Sequence, residues 1–365
     1  MNVIRNFIGK ILGFIRRRPL ERVQGTPPLN MTRILLDPKN ILIMPYNRMG
    51  TTLLTTRVFK AIREHYPAAK ITAAVNEPWS ILISKDPVVD EVIGYGEDIE
   101  NPSSEGFKNI GRALADEHFD LAFFLSYQFD PAIAYLISRS RADLRVSFKT
   151  GTEVPYFNVE IVPAPGNRYE VERYLELLRT LGIEGTPRDY TLKISDTVRE
   201  KARRRHFPDH SPAGKKCIVG YDLTREIAGE TIGKKTTESH IRALIEGFDA
   251  SVAVVYEPAK KKRADELKEI FGKRVIPVED RPVTTLAGAL SFCRFAVTRN
   301  TDLLQLAIAM KTPTIGILTA SENIRWAPPQ CPSLTHLMRS DDSWPSGETL
   351  VAAAHKAFSE PLKQS

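Results

Sequence analysis

The chain has 365 residues, of which 42% are hydrophobic and 26% are charged, so it is a folded protein long enough for two domains. Most of its net charge of +7 lies in residues 1–39, which hold eight basic and two acidic residues, and the nearly neutral remainder argues against nucleic-acid binding. Three separated cysteines, Cys217, Cys293 and Cys331, argue against a disulfide framework and indicate a reducing compartment. No histidine pair has convincing metal-ligand spacing and no hydrolase triad pattern is present, so we expect no metal site and no hydrolase.

The first predicted element is an amphipathic, basic helix in residues 1–18. Its apolar side chains recur at helical spacing: Ile4, Phe7, Ile8, Ile11, Leu12 and Ile15. The stretch is too short to span a bilayer, so we expect it to lie in the plane of an anionic membrane surface, where each basic residue contributes about 1 kcal/mol. The alternative is a helix packed on this protein or on a second copy. Residues 19–38, which contain several prolines, are the expected linker.

Short apolar runs alternate with helical patterns from residue 39 onward, which is typical of a parallel sheet covered by helices. In the N-terminal domain, residues 39–187, the expected strands are 41–44, 71–75, 92–95, 121–125 and 144–148, with helices at 52–65, 78–84, 105–117, 131–140 and 168–181. Residues 188–214 are polar and form an expected linker. In the C-terminal domain, residues 215–335, the expected strands are 217–221, 252–256, 275–278, 295–298 and 314–318, with helices at 237–247, 260–271, 284–292 and 302–310. Residues 336–365 add a C-terminal helix at 350–358.

This order of elements predicts an α/β protein with two Rossmann-like domains whose parallel sheets face each other across a cleft. In such sheets, ligands bind beyond the carboxyl ends of the strands, where helix N-termini present partial positive charge. We therefore look for function in the loops that follow Pro45, Leu125, Tyr221, Tyr256, Thr298 and Leu318.

The loop at residues 47–52 contains a lone glycine and no acid. Gly50 permits a sharp turn, and the free N–H groups at the start of the following helix suit a phosphate or a sugar hydroxyl. The loop is neither a dinucleotide-binding fingerprint nor a P-loop. The alternative is purely structural, with Gly50 shaping the turn and Thr51 or Thr52 capping the helix.

Three loops of the second half carry hydroxyl or charged residues. In residues 221–241, Lys234 and Lys235 precede a helix and can reach a phosphate, or they lie on a mobile surface loop. In residues 299–304, a helix N-terminus capped by Asn300 or Thr301 suits an anion, but Asp302 competes with a diphosphate, and capping alone is the alternative. The basic run at residues 260–263 is interpreted as a solvated helix face.

Three segments together resemble a known enzyme family: ILIMPYNRMGTTLLTTRVFKAIREHYPAAKITAAV, DPVVDEVIGY and FAVTRNTDLLQLAIAMKTPTIGILTASENIRWAPP. They resemble the ADP-heptose:lipopolysaccharide heptosyltransferases, which form glycosyltransferase family 9 and have the GT-B fold. The resemblance covers most of residues 39–335. It implies an acceptor-binding N-terminal domain and a donor-binding C-terminal domain.

The resemblance places a proposed general base in the first turn, as a Gly-Asp pair. Here Gly50 matches the glycine and Thr51 occupies the slot of the base, and a threonine hydroxyl cannot act as a base near neutral pH. Arg48, Gly50 and Thr52 are the expected acceptor-binding residues. The residues that could replace the base are Asp222, Glu226 and Asp130, each at a predicted strand end or in the loop after it.

The family's donor signature reads roughly Asp-Thr-Gly-Leu-x-His-Leu. Thr301, Leu303 and Leu306 match it, whereas Asn300, Asp302 and Gln305 replace its aspartate, glycine and histidine. Lys234 matches a family lysine that contacts the donor phosphate, and the family's ribose-binding acid is lost within 260–262. The expected donor-binding residues are Thr224, Lys234, Lys235, Asn300, Thr301, Asp302, Leu303 and Gln305.

The resemblance implies a diverged glycosyltransferase that moves a sugar from a nucleotide-diphosphate donor to a lipid-linked or envelope glycan acceptor. It implies no cofactor beyond the nucleotide sugar, which is a substrate. With the helix in residues 1–18, it implies a cytoplasmic protein bound peripherally to the inner face of the cytoplasmic membrane. The alternative is a catalytically inactive GT-B protein that binds or scaffolds partners in glycan assembly.

Overall fold

The computed structural model describes residues 30–150, 156–187, 189, 192–208, 217–224, 232–340 and 343–358. The helix predicted for residues 1–18 lies outside these described residues. The described residues divide into two compact units, the first formed by those in 30–165 and 171–187 and the second by residues 166–170 and those from 189 to 358. Each unit is built around its own parallel sheet.

The sheet of the first unit has six parallel strands in the order β3-β2-β1-β4-β5-β6. Their bounds are β1 Asn40–Pro45, β2 Lys70–Asn76, β3 Glu91–Tyr95, β4 Leu121–Leu125, β5 Leu144–Phe148 and β6 Val159–Ile161. The central strands are continuous apolar runs because helices cover both faces, and every residue of β4 is buried. Burial of each large aliphatic side chain there contributes about 1.5–3 kcal/mol.

Helices of the first unit connect these strands and pack on the sheet. Their bounds are α1 Met31–Leu36, α2 Met49–His65, α3 Glu77–Ser80, α4 Glu105–Asp116, α5 Pro131–Arg139 and α6 Glu170–Thr180, the last of which begins at the division between the units. α4 illustrates how the sequence specifies a helix: the Ser104 hydroxyl caps its N-terminus, and Phe107, Ile110 and Leu114 form its buried stripe. α1 lies inside the segment expected to be a linker, and it buries none of its residues.

The sheet of the second unit also has six parallel strands, in the order β12-β11-β10-β7-β8-β9. Their bounds are β7 Ile218–Asp222, β8 Ser251–Tyr256, β9 Val275–Glu279, β10 Phe295–Thr298, β11 Thr314–Leu318 and β12 Leu334–Met338. The helices are α7 Asp196–His206, α8 Lys234–Phe248, α9 Lys261–Phe271, α10 Val283–Leu290, α11 Asp302–Ala309, α12 Ala320–Trp326 and α13 Gly347–Phe358. Within the described part of the chain, no helix has both the length and the apolar character needed to cross a bilayer.

The predicted α/β architecture of two parallel sheets is confirmed. Five elements were not predicted from the sequence: α1, α7, α12, β6 and β12. α7 was assigned to the polar linker at residues 188–214 because it lacks an apolar stripe, and Ala202 is its one buried residue. It packs instead through small residues, since a Cβ added to Gly288 of α10 would lie 2.6 Å from the Ala202 Cβ.

Candidate functional site: a cationic pocket in the second unit and a polar edge in the first

A pocket of about 370 Å³ lies in the second unit, beside the carboxyl ends of β7, β8 and β10. Its charged lining consists of Lys234, Lys260, Lys262, Arg263, Arg299 and Glu266. Five cations and one carboxylate make this an electropositive cavity. Thr224 and Thr237 also line the pocket, but their hydroxyls donate within the protein, to Asp222 and to the Gly233 carbonyl. The pocket therefore suits a polyanion through its positive charge.

Two helices begin at this pocket with basic residues and have no acid in the first turn. α8 begins with Lys234 and Lys235, and α9 begins with three consecutive basic residues. A cation at a helix N-terminus is electrostatically unfavourable because the helix macrodipole already places partial positive charge there. Such an arrangement is offset by nearby carboxylates or by a bound anion.

Two carboxylates of the second unit offset part of this charge. Arg263 donates to Glu238 at 2.8 Å and to Glu266 at 3.1 Å, and its side chain is only 13% exposed. Lys234 pairs with the same Glu266 at 3.1 Å, but its side chain remains 71% exposed. From the sequence, residues 260–263 were interpreted as a solvated helix face, and for Arg263 this interpretation is wrong. Lys234, in contrast, can reorient toward a ligand.

Asp222, the last residue of β7, joins the two loops behind the pocket. It is 1% exposed, and one carboxylate oxygen accepts from the backbone N–H of Thr224 at 2.9 Å and from its hydroxyl at 2.7 Å. The other oxygen accepts from the hydroxyl of Thr301 and from the backbone N–H of Arg299 at 3.4 Å. This burial and hydrogen bonding favour a role in holding the loops over the role of a base, which the sequence analysis considered for Asp222.

The turn from β10 to α11 is held from inside the second unit. Asn300, Thr301, Leu303 and Gln305 are all buried. The Asn300 amide donates to Glu322 at 3.1 Å, and the Gln305 amide donates to the carbonyl of Trp326 at 2.7 Å. The side chains at these predicted donor-binding positions thus stabilise the turn, and only Asp302 of this group is partly exposed.

Arg299 connects this turn to the pocket. Its guanidinium donates to the Thr224 carbonyl at 2.5 Å and lies over the Trp344 ring at 5.9 Å. Arg339 lies over the same ring at 4.6 Å and donates to Glu322 at 3.2 Å. Because a carbonyl and an indole fix the Arg299 guanidinium, this part of the positive lining is preorganised.

In the first unit, the turn after β1 has no carboxylate. α2 begins at Met49, so Gly50 lies within its first turn and the helix begins earlier than expected. The Thr51 hydroxyl donates to the carbonyls of Tyr46 at 2.7 Å and Arg48 at 2.9 Å, and the buried Thr52 also donates to Arg48 at 2.9 Å. The threonines therefore stabilise the turn through their hydroxyl protons, and neither caps the helix as an acceptor.

A carboxylate does follow β4, the strand that pairs with β1. Asp130 caps α5, with one oxygen accepting from the N–H groups of Ala132 at 2.9 Å and Ile133 at 3.1 Å. Asp130 as a whole residue is partly exposed. Desolvation by burial raises the pKa of Asp130 above its ordinary value, and the charge of Glu100 raises it further, while the two N–H donors lower it.

Three carboxyl and imidazole groups also meet at the opposite edge of the first sheet. His118, Asp120 and Asp143 have potential ligand atoms within 4.8 Å of one another, just before β4 and β5. Asp120 accepts from the backbone N–H groups of Lys39 at 2.6 Å and Asn40 at 2.9 Å. Asp120 thus ties the start of β1 to the residue that precedes β4, and the expectation of no metal site stays a prediction.

Comparison with known proteins supports the resemblance given by the sequence. No protein-family model matches the chain. A curated relative, lipopolysaccharide heptosyltransferase 3 of Escherichia coli, is 24% identical over 295 residues, which cover 76% of this chain and 83% of the relative. The chain is related to the lipopolysaccharide heptosyltransferases. The homology between this chain and those enzymes supports a glycosyltransferase-like function for the chain.

Two solved structures of heptosyltransferase relatives show that the fold is shared. A glycosyltransferase family 9 protein of Veillonella parvula has a TM-score of 0.72 and 17% identity, covering 88% of this chain and 98% of its own. The ADP-heptose lipopolysaccharide heptosyltransferase II of Escherichia coli has a TM-score of 0.70 and 15% identity, covering 87% and 98%. The GT-B fold expected for the chain is thereby confirmed.

The predicted donor-binding residues and the candidate base Glu226 fall in different places. Thr224 and Lys234 line the cationic pocket, whereas Lys235 is exposed outside the lining. Asn300, Thr301, Leu303 and Gln305 are buried. Glu226 lies outside the described residues.

The sequence analysis missed the cations that approach Lys234 from other elements. Arg263 was visible as part of a basic run at a helix start, and Arg299 as the residue that follows a predicted strand. Their convergence on one pocket depends on strand order, with β7 between β8 and β10. That order cannot be read from the local pattern.

Proposed function

We propose that the chain is a diverged glycosyltransferase that moves a sugar from a nucleotide-diphosphate donor to a lipid-linked or envelope glycan acceptor. The observation that carries this proposal is the cationic pocket of the second unit, where α8 and α9 both begin with basic residues. A nucleoside diphosphate supplies the negative charge that this pocket lacks. One of the similar solved structures is named an ADP-heptose heptosyltransferase, and this supports a nucleoside-diphosphate sugar as the donor.

In the proposed reaction, the pocket stabilises the departing diphosphate. Lys234 acts as a mobile point charge, and Arg299 supplies a fixed guanidinium. Cations that are already in place where negative charge develops lower the barrier because they need no reorganisation. The nucleotide sugar is a substrate, so the proposal requires no cofactor.

We further propose that residues 1–18 hold the protein on the anionic inner face of the cytoplasmic membrane. The supporting observation is the sequence pattern of an apolar face followed by basic residues. A peripheral position there brings the first unit to a lipid-linked acceptor, consistent with relatives named for lipopolysaccharide.

Calorimetric titration tests the donor assignment. The full chain is titrated with ADP-, UDP- and GDP-sugars, and any sugar nucleotide that binds is assayed for turnover with truncated lipopolysaccharide. We expect saturable binding of at least one donor and release of its nucleoside diphosphate. A chain that binds none of these nucleotides would contradict the transferase proposal.

The second candidate function is a catalytically inactive GT-B protein that binds partners in glycan assembly. The observation that favours it is the β1–α2 turn, where Thr51 donates its hydroxyl to backbone carbonyls and the first helical turn has no acid. Binding of a nucleotide sugar without turnover would favour this candidate.

A further inference from the structure

We propose that Asp130 is the catalytic base of this chain and that it accepts the proton of the acceptor hydroxyl in place of the missing acid at Thr51. The inference rests on the proposed transferase function. It assigns the role to a residue that the fold places beside the β1–α2 turn.

The fold places the loop that carries Asp130 next to the β1–α2 turn. β1 and β4 are adjacent parallel strands, and Pro45 pairs with Leu125 at their last residues. The turn that begins at Tyr46 and the loop that ends at Asp130 therefore leave the same edge of the sheet side by side. A base on the second loop can serve a hydroxyl bound near the first.

A second feature is the state of the carboxylate. One oxygen of Asp130 is occupied by the two N–H groups of α5, and no described residue donates to the other. Asp130 is partly exposed as a residue, while most of its carboxyl group is buried. Burial raises the pKa of Asp130, which increases its basicity as a carboxylate.

A third feature is a set of buried polar atoms near this edge. The Tyr95 hydroxyl and the Asn76 side-chain oxygen have no hydrogen-bond partner among the described residues, and both residues are only 3% exposed. They are paired neighbours at the carboxyl ends of β3 and β2. Tyr95 belongs to the same buried cluster as Ala132 and Ile133, the residues whose N–H groups donate to Asp130.

Unpartnered polar groups at this depth are uncommon because each costs about 1–3 kcal/mol. The Asn47 side-chain oxygen, in the turn after β1, is also buried without a described partner. Ordered water or the hydroxyls of a glycan acceptor would satisfy such groups. Three such groups lie at the carboxyl-end edge of the first sheet, which is also the edge of Asp130.

In the proposed step, the acceptor hydroxyl gives its proton to the free oxygen of Asp130. Its oxygen forms a bond to the anomeric carbon of the donor sugar. The bond from that carbon to the diphosphate oxygen breaks, and its electron pair leaves with the nucleoside diphosphate. No oxidant, reductant or further reactant is needed.

The test compares the full chain with its Asp130→Asn variant. Asparagine caps helices about as well as aspartate, so α5 keeps its N-cap while the base is lost. We expect kcat to fall by about 100-fold or more, with unchanged affinity for the nucleoside diphosphate and an unchanged melting temperature. Asp116→Asn, at the exposed end of α4, is the matched control and should keep the wild-type rate.

Each outcome separates this inference from the transferase proposal. A loss of rate in Asp130→Asn alone, with donor binding intact, supports the base assignment. Turnover within about 3-fold of wild type in Asp130→Asn overturns it and leaves the transferase proposal standing. If the wild-type chain binds none of the sugar nucleotides, both are overturned, and the calorimetric result identifies that cause.

Discussion

At the scale of single residues, the cationic pocket depends on side chains with different freedom. Arg263 and Arg299 are held by carboxylates, carbonyls and an indole, so their position is set before a ligand arrives. Lys234 has one exposed ion pair, and such pairs contribute little to stability. The residue that can most easily exchange its partner for a phosphate is therefore Lys234.

Replacement of Lys234 tests this distinction. We expect Lys234→Ala to weaken binding of the nucleotide donor by about 10- to 100-fold, because it removes a charged hydrogen-bond donor that contributes about 1.5–3 kcal/mol. Stability should change little, since the lost ion pair is exposed. Titration calorimetry measures the affinity, and Lys235→Ala, which is exposed outside the pocket lining, serves as the control. Equal affinities for the two variants would remove Lys234 from the site.

The Thr51→Asp variant tests whether restoring an acid at the position of the family's proposed general base affects turnover. An acid in the first turn of α2 is compatible with the helix macrodipole, so we expect the variant to fold. With Asp130 as the base, restoring an acid at residue 51 should leave kcat unchanged or lower it, because the Thr51 hydrogen bonds to two carbonyls are lost. Turnover assays with the bound donor measure this. A large gain in rate would favour the inactive GT-B protein over a working enzyme.

At the scale of elements, α7 shows how a helix can dock without an apolar stripe. Its sequence is rich in arginine, and an ion-pair group joins Glu200 to Arg203 and Arg204, each at 2.8 Å. Docking on α10 relies on shape, because the Gly288 position leaves no space for a side chain between the two helices. Close contact of small residues replaces the apolar stripe of an ordinary surface helix.

Gly288→Val should disrupt this packing. The added side chain would enter space occupied by the Ala202 Cβ, and overpacking of this kind costs about 1–3 kcal/mol. We expect a lower urea midpoint with an unchanged slope. Adding Ala202→Gly to the same chain should recover part of the loss by making room. An unchanged urea midpoint for Gly288→Val alone would show that α7 and α10 can move apart without a cost in the free energy of folding.

At the scale of the whole molecule, the charge distribution separates membrane attachment from ligand binding. Most of the net charge of +7 belongs to the amino-terminal segment, whereas the pocket of the second unit is a local concentration of cations in a nearly neutral remainder. Attachment should therefore depend on residues 1–18 and not on the α/β units.

Liposome flotation measures this attachment. We expect the full chain to float with anionic vesicles and a chain of residues 19–365 to remain in the dense fraction. Added salt should reduce flotation of the full chain, because screening weakens the attraction of basic residues to the surface. Neutral vesicles provide the control. Equal flotation of the two chains would refute the membrane role of residues 1–18.

The sequence by itself determined the two parallel α/β sheets, because strands buried on both faces must be apolar runs and connecting helices must carry an apolar stripe. It also located Thr224 and Lys234, which follow a recognisable strand. Only the tertiary structure revealed that Asp222 is buried under four hydrogen bonds, and that Asp130 lies beside the turn of Thr51. The physical reason is that strand order brings together loops far apart in the chain, whereas periodicity reports only which face of an element is buried.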